Sequence, residues 1–200
     1  YRVPESLGDE QAVLVDPLAC SLHAVLRRPP SQGERVLVIG AGIIGQGVVM
    51  VIRAMGLAAE ISIIARHESQ VQTLKQAGAD EVIVAGRKSS RADLFEQVAS
   101  RFGGERVPGK FGNQALVGGV DLVFDCVGTG ESLANAMKFC KARGTVVAAG
   151  TSHIALVDTT ALWFNELTVL GAYGRQIENS DGVRQHTYEM VFDMIVDGRL

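Results

Sequence analysis

Arg35-Val36-Leu37-Val38-Ile39-Gly40-Ala41-Gly42-Ile43-Ile44-Gly45 decides how this chain folds. A short apolar strand, Val36 to Ile39, runs straight into the spacing Gly40-x-Gly42-x-x-Gly45, the signature of a dinucleotide pyrophosphate site. Each glycine has its own physical task. Gly40 permits the tight turn out of the strand, Gly42 lets the backbone approach the pyrophosphate, and Gly45 lets the next helix pack against the strand. The helix that begins at Ile43, Ile44 and Gly45 then offers free N–H groups and a partial positive charge to the phosphates. A lone motif of this kind is weak. Here its context is complete, with an apolar helical run from Ile43 to Met55 and a second apolar strand, Ile61-Ser62-Ile63-Ile64, beyond it.

Outward from that unit, strand and helix patterns alternate. Strands are expected near 35–40, 60–65, 81–84, 120–125, 144–149 and 166–171, and helices near 43–55, 68–77, 91–101, 130–142 and 181–197. Six strands with intervening helices predict an α/β fold, a doubly wound six-stranded parallel sheet of Rossmann type. Residues 1–8 read as extended. A helical stretch from Asp9 to Arg27 is broken at Asp16-Pro17, with Asp16 as N-cap and Pro17 as the first residue of a new turn. Pro29 to Gly33 is a turn into the first strand. The segment Gly103 to Gly119 is rich in glycine, holds Pro108, Arg106 and Lys110, and has no clear period. It reads as a long surface loop, either a tolerated insertion or a lid over a substrate or partner.

Composition narrows the function classes. A chain of 200 residues buries about 70% of its unfolded surface in one domain. The 47% hydrophobic fraction and 23 glycines suit central strands covered on both faces. A net charge of -3 leaves no basic stripe for a phosphate backbone, so nucleic acid is not expected as a partner. No apolar run approaches the ~20 residues that span a membrane. Cys20, Cys126 and Cys140 form neither a CxxC pair nor a zinc-ribbon spacing, and read as free thiols of a cytoplasmic protein. The chain starts at Tyr1 and its last helical pattern runs into Arg199-Leu200, which reads as a piece of a longer protein.

The choice of dinucleotide is made at the end of the second strand. An NAD site uses Asp or Glu there to accept hydrogen bonds from the ribose hydroxyls. This chain has Ala65, then Arg66 and His67. Alanine leaves room for a 2′-phosphate, Arg66 can pair with it in bidentate fashion, and His67 can add a donor. Loss of the acid together with gain of the base favours NADP over NAD, although Glu68 one place on can still reach a ribose and Arg66 can equally be a solvated strand-end residue. Cys126-Val127-Gly128, Ala149-Gly150-Thr151 and Ala172-Tyr173 follow the later strands. Ligands of open α/β sheets lie across the carboxyl ends of the strands, so these residues are candidates for the nicotinamide half of the groove, or simple turn punctuation.

Taken in order, these segments resemble the medium-chain dehydrogenase/reductase family, the zinc-dependent alcohol, polyol and threonine dehydrogenases. The resemblance runs through Val3-Pro4-Glu5, Asp16-Pro17-Leu18, the Gly33 to Gly45 stretch, Ala77-Gly78-Ala79-Asp80, Asp121 to Gly128, Gly144 to Gly150 and Glu166 to Gly171. It covers the family's coenzyme-binding domain only, which implies residues 1–32 as a linking helical segment from a catalytic domain and residues 33–200 as the dinucleotide-binding domain. Family members with a Glu before that Pro-Leu keep it near the catalytic zinc. Asp16 matches it in charge and is one methylene shorter, so the resemblance implies one zinc ligand of a site completed elsewhere, against the N-cap role on equal terms. His23 reads as a packed core residue. The family's segment corresponding to Gly103–Gly119 is usually shorter, and the sequence departs from the pattern there.

The resemblance implies an NADP-preferring oxidoreductase that moves a hydride between nicotinamide and a small alcohol or carbonyl substrate, with zinc in the full-length protein as Lewis acid. No catalytic residue is expected in this chain, and the chain alone is expected to be inactive. Two alternatives stand beside it: a zinc-free quinone- or enoyl-reductase-like enzyme, which Asp16-Pro17-Leu18 argues against, and a non-enzymatic dinucleotide-sensing module. The strand Leu167-Thr168-Val169-Leu170, at the sheet edge, predicts a homodimer.

Overall fold

The computed structural model describes residues 1–86, 89–109, 113–150, 154–180 and 182–200. Its centre is a six-stranded sheet formed by β1 (Arg35–Ile39), β2 (Glu60–Ala65), β3 (Glu81–Val84), β6 (Val120–Asp125), β7 (Cys140–Ala148) and β8 (Thr168–Gly171). The strand order is β3-β2-β1-β6-β7-β8, and every neighbouring pair is parallel. Strand order therefore reverses between β1 and β6, where an open α/β sheet presents its crevice. The expected doubly wound sheet is present, with each of its six strands overlapping the expected positions.

Alternation along these strands feeds two cores. Val36 and Val38 of β1, Ile61 and Ile63 of β2, and Leu122 and Phe124 of β6 pack on one face with α2 (Val15–Arg27), α3 (Ile43–Ala54) and α8 (Thr187–Val196). Leu37, Ile39, Ile64, Val123 and Val146 pack on the other with α5 (Arg91–Phe102) and α6 (Gly130–Phe139). Both faces are buried, which is why the strands read as nearly continuous apolar runs. Among the described residues no helix is long and apolar enough to cross a membrane.

Several local expectations are corrected. The Gly103–Gly119 segment is not a structureless loop: β4 (Glu105–Pro108) pairs antiparallel with β5 (Gln114–Val117) in a separate hairpin. Leu116 is the anchor, buried against the second core, and such a side chain contributes about 1.5–3 kcal/mol. Residues 110–112 at the hairpin's turn lie outside the described residues. The helix expected over 181–197 begins only at Thr187, because β9 (Ile177–Ser180) and β10 (Val183–His186) form a second antiparallel hairpin first. The helix expected over 130–142 ends at Phe139, where the chain turns extended and starts β7. The stretch 68–77 is a 3-10 turn, Glu68–Gln70, followed by α4 (Val71–Gln76).

Asp16 is not an N-cap. The break in the first helical stretch falls two residues earlier than expected, between α1 (Asp9–Ala12) and α2, whose N-cap is Leu14. Asp16 and Pro17 are thus the second and third residues of α2. Proline is tolerated there because N–H groups of a first turn have no partner within the helix.

Candidate functional site

The three glycines of the opening motif behave differently in space. Gly40 has φ +103, a left-handed backbone that turns the chain out of β1, and a Cβ there would lie 2.7 Å from Val127 Cγ2. Gly45 sits against the strand: a Cβ would lie 1.8 Å from the Gly40 carbonyl oxygen. Gly42 is the opposite case. It is the N-cap of α3, and a Cβ on it would meet nothing within 4 Å. Open space over a helix N-terminus, with no side chain capping it and no acidic residue in its first turn, is a cradle for a phosphate group.

That space opens into a cleft of about 670 Å³ along the carboxyl ends of β2, β1 and β6, within the size range of ligand sites. Of the residues singled out in the sequence, Gly40, Gly42, Ala65, Arg66, His67, Cys126 and Val127 line it. Ile43, Ile44 and Gly45 form the first turn of α3 beside it, with Ile43 exposed. Gly128, Ala149, Gly150, Ala172 and Tyr173 do not line the cleft. They continue along the same sheet edge, stepwise: Ala149 N and Gly150 N donate to Asp125 O at 2.9 and 2.7 Å, and Ala172 N donates to Ala148 O at 3.0 Å. Tyr173 is exposed. Thr151 lies outside the described residues.

Two residues that shape the cleft were not among the candidate site residues. Gln70 Oε1 accepts from Arg66 N at 3.3 Å and His67 N at 3.1 Å, while its Nε2 donates to Ala41 O at 3.2 Å. One amide thus ties the turn after β2 to the glycine loop. Asp125, fully buried at the end of β6, accepts from Val127 N (3.1 Å), Gly128 N (3.2 Å) and Ser132 Oγ (3.1 Å). Burial raises its carboxyl above the usual range even though these three donors work the other way. The signal was available in Asp125-x-x-Gly128, an acid followed by a turn whose amides it can satisfy. Burial, helped by Asp125, also pushes the Cys126 thiol upward, so it stands at the cleft as a neutral group rather than a nucleophile.

Arg66 projects from the end of β2 and is exposed, with no ion-pair partner among the described residues. Ala65 before it is buried and brings no carboxylate to that strand end. The donor set fits a dinucleotide with its pyrophosphate over Gly42 and its adenosine near Ala65 and Arg66.

The metal candidate, Asp16, and His23 are placed elsewhere. Asp16 is exposed near the chain beyond β8, accepting from Tyr188 Oη at 2.5 Å and lying 3.5 Å from Arg175 Nη1. His23 is buried and faces Glu178 Oε1 at 2.5 Å, a pairing within the fold. No three His, Cys, Asp or Glu side chains converge among the described residues, so the described chain does not assemble a zinc site by itself.

A family model described as zinc-binding dehydrogenase matches residues 44–196. The chain belongs to this family. A sorbitol dehydrogenase of Arabidopsis thaliana is 28% identical over 174 residues, which is 86% of this chain and 44% of the relative. The zinc-binding dehydrogenase chain described here therefore spans less than half the length of that relative. Among solved structures, one from Sinorhizobium meliloti bound to NADP superposes with a TM-score of 0.72 at 23% identity, covering 100% of this chain and 52% of that one. An alcohol dehydrogenase of Escherichia coli complexed with NADH gives 0.74 at 20%, covering 100% and 51%. At such identities these two likenesses speak for the fold alone.

Proposed function

We propose that this chain is the coenzyme-binding part of a zinc-dependent oxidoreductase that moves a hydride between a nicotinamide dinucleotide and a small alcohol or carbonyl compound. The observation that carries it is the open cradle over Gly42 at the reversal of strand order, in a chain whose relatives include a sorbitol dehydrogenase. A polyol or related secondary alcohol is the substrate class that fits such a relative. The dinucleotide supplies the hydride chemistry, and zinc supplies a Lewis acid for the substrate oxygen.

What this chain contributes is binding and orientation. The N–H groups at the start of α3 face the phosphates, Gly40 and Val127 wall the pyrophosphate end, and the stepped turns at Cys126–Gly128, Ala149–Gly150 and Ala172–Tyr173 support the nicotinamide half. Asp16 is at most one ligand of a zinc site completed by residues outside this chain. The 200-residue chain on its own then binds dinucleotide, holds no stoichiometric zinc and turns over no alcohol.

NADP is the preferred cofactor in this reading. Arg66 is free to pair with a 2′-phosphate, and Ala65 leaves the space that a carboxylate would deny it. A homodimer through the edge of β8 belongs to the same reading: Val169 of that strand is exposed, as are Trp163 and Phe164 in the helical turn that precedes it, and light scattering reads the association directly. The three free thiols suit a reducing, cytoplasmic setting.

Calorimetric titration with NADPH and NADH tests the assignment. NADPH is expected to bind more tightly, with the gap narrowing at high salt. Arg66→Ala is expected to remove about 1.5–3 kcal/mol from NADPH binding and leave NADH unchanged. Equal affinities, or an Arg66→Ala variant that keeps the preference, contradict the NADP assignment. Failure to bind either dinucleotide contradicts the reading as a whole.

A further inference from the structure

The adenosine end of the cleft carries a second guanidinium. Arg91, the first residue of α5, lines the same cleft as Arg66 and His67, and so does Glu131 in the first turn of α6. Arg91 Nη2 meets Glu131 Oε1 at 2.8 Å, an ion pair that ties the two helix starts together. The backbone brings Arg91 toward the ribose turn. A Cβ on Gly86 would lie 3.6 Å from the Arg66 carbonyl oxygen, and Ser89 N donates back to Gly86 O at 3.0 Å, two residues before Arg91.

Local stability does not explain a cation at this position. An arginine in the first turn of a helix opposes the helix dipole. The pair it makes is also well exposed, with side chains 43% and 64% accessible, and exposed pairs contribute little to folding. The pair does, however, keep a guanidinium extended at the cleft wall.

We propose that Arg91 is a specificity-determining residue for the 2′-phosphate, held by Glu131 when the site is empty and exchanged onto the phosphate when NADP binds. The proposal rests on the NADP reading above. The exchange is favourable in charge. A phosphate monoester carries about −1.5 to −2 near neutral pH and three acceptor oxygens, against −1 and two oxygens for Glu131. A nucleotide without that phosphate offers Arg91 nothing better than the carboxylate it already has. Arg66 and Arg91 then clasp the phosphate from β2 and from α5.

The test uses adenosine 2′,5′-bisphosphate and adenosine 5′-monophosphate, which differ only in the 2′-phosphate, titrated calorimetrically into the 200-residue chain. The unmodified chain is expected to favour the bisphosphate. Arg91→Ala is expected to cut that ratio about tenfold or more and leave the monophosphate unchanged, Arg91→Lys to retain part of it, and Glu131→Gln to raise bisphosphate affinity. If Arg91→Ala leaves the ratio intact while Arg66→Ala collapses it, the role of Arg91 is overturned and the NADP reading stands. Equal weakening of both nucleotides in Arg91→Ala marks a merely structural role and also overturns it. No preference in the unmodified chain overturns both.

Discussion

Replacing Gly45 by alanine and Gly42 by alanine should separate folding from binding, although the two positions are three residues apart in one motif. A methyl on Gly45 would sit 1.8 Å from the Gly40 carbonyl oxygen and 3.0 Å from its carbon. A tolerable carbon-to-oxygen contact is about 3.3 Å, so α3 must move away from β1 by about 1.5 Å. It has nowhere to go. On its far side Gly47 already lies against α2, where a Cβ would be 2.4 Å from Ser21 Oγ. Overpacking of this kind costs about 1–3 kcal/mol, and the atoms the Gly45 methyl strikes first, the carbonyl of Gly40, are backbone, which puts Gly45→Ala at the upper end. Against that stands the helix-propensity gain of alanine over glycine, about 0.5–1 kcal/mol. The clash wins, and the expected net loss is about 1–2 kcal/mol or more. Gly42→Ala meets nothing within 4 Å and keeps a φ of −77 that any residue adopts. Its cost to folding is the weaker N-cap, under about 1 kcal/mol. Its methyl instead occupies the phosphate cradle.

Urea unfolding with an unchanged slope reads the first effect as a lowered midpoint, and calorimetric titration with NADPH reads the second as lost affinity in a chain of nearly unmodified stability. Two results would refute the reasoning. One is Gly45→Ala unfolding at the same urea concentration as the unmodified chain. The other is Gly42→Ala binding NADPH as tightly.

Gln70→Ala removes the amide that joins Arg66 N, His67 N and Ala41 O, so both NADPH and NADH are expected to bind several-fold more weakly with little change in the urea midpoint. Retained affinity for both would show that the glycine loop and ribose turn are held without it. At low pH the chain should lose stability through Asp158, whose carboxyl is held well below the usual range first by the Lys138 hydrogen bond and then by the Thr160 hydroxyl and N–H. A depressed folded-state pKa stabilises above the unfolded value, about 3.9, and that stability is lost as pH falls below it; urea midpoints between about pH 5 and 2 should drop, and drop less in Asp158→Asn. Elemental analysis of the purified 200-residue chain should find no stoichiometric zinc, and an alcohol-oxidation assay no turnover. One tightly held zinc per chain would mean that Asp16 has partners other than those described.

The sheet was legible because its determinants are local and repeated. Val36 to Ile39, Ile61 to Ile64 (Ser62 apart) and Leu122 to Phe124 are apolar on both faces, a pattern that a parallel sheet covered on both sides requires and few other structures allow. The hairpins were not. In β4 and β5 the residues alternate weakly, only Leu116 is buried, and glycines stand on either side, so composition pointed to a loop. What organises the segment is tertiary. Leu116 enters the core of Phe95, Phe102 and Phe139, and Asn113 bonds Lys138 Nζ at 2.5 Å and Asp158 Oδ2 at 3.1 Å. The start of α2 was misjudged for a related reason. Asp-Pro is a strong capping signal in isolation, yet Leu18 N already donates to Leu14 O at 3.0 Å, so the helix has begun before the proline arrives. In the site, Gly40 and Gly45 were legible because each answers a backbone constraint, and Gly42 because the spacing sets it at the helix start. Gln70 and Arg91 were not, because their roles depend on which strand ends lie side by side.

Under the NADP reading proposed above, cofactor selectivity is decided at the rim of the cleft. Asp125 fixes two strand ends at once: its carboxylate holds the amides of Val127 and Gly128 and the hydroxyl of Ser132, while its carbonyl holds Ala149 N and Gly150 N. Gly150 packs so closely that a Cβ would lie 2.5 Å from Gly128 N. In the reading proposed above, Cys126 and Val127 in the cleft and the clamped turns at Gly128 and Ala149–Gly150 beside it form a floor that holds pyrophosphate and nicotinamide whatever the ribose carries. Nothing in that floor distinguishes NADP from NAD. Arg66 and Arg91 are different in kind, exposed cations on the rim beside an alanine where a carboxylate would otherwise read the ribose hydroxyls. Exchanging Ala65, buried at the end of β2 where it lines the cleft, for aspartate costs some folding stability, which urea unfolding reads, and sets a carboxylate at the ribose end of the proposed site. The floor should go on binding dinucleotide while the charge at the ribose reverses its choice, so NADH should overtake NADPH in Ala65→Asp as measured by the same titration. A variant that loses both cofactors together would show that floor and rim are not separable in this way.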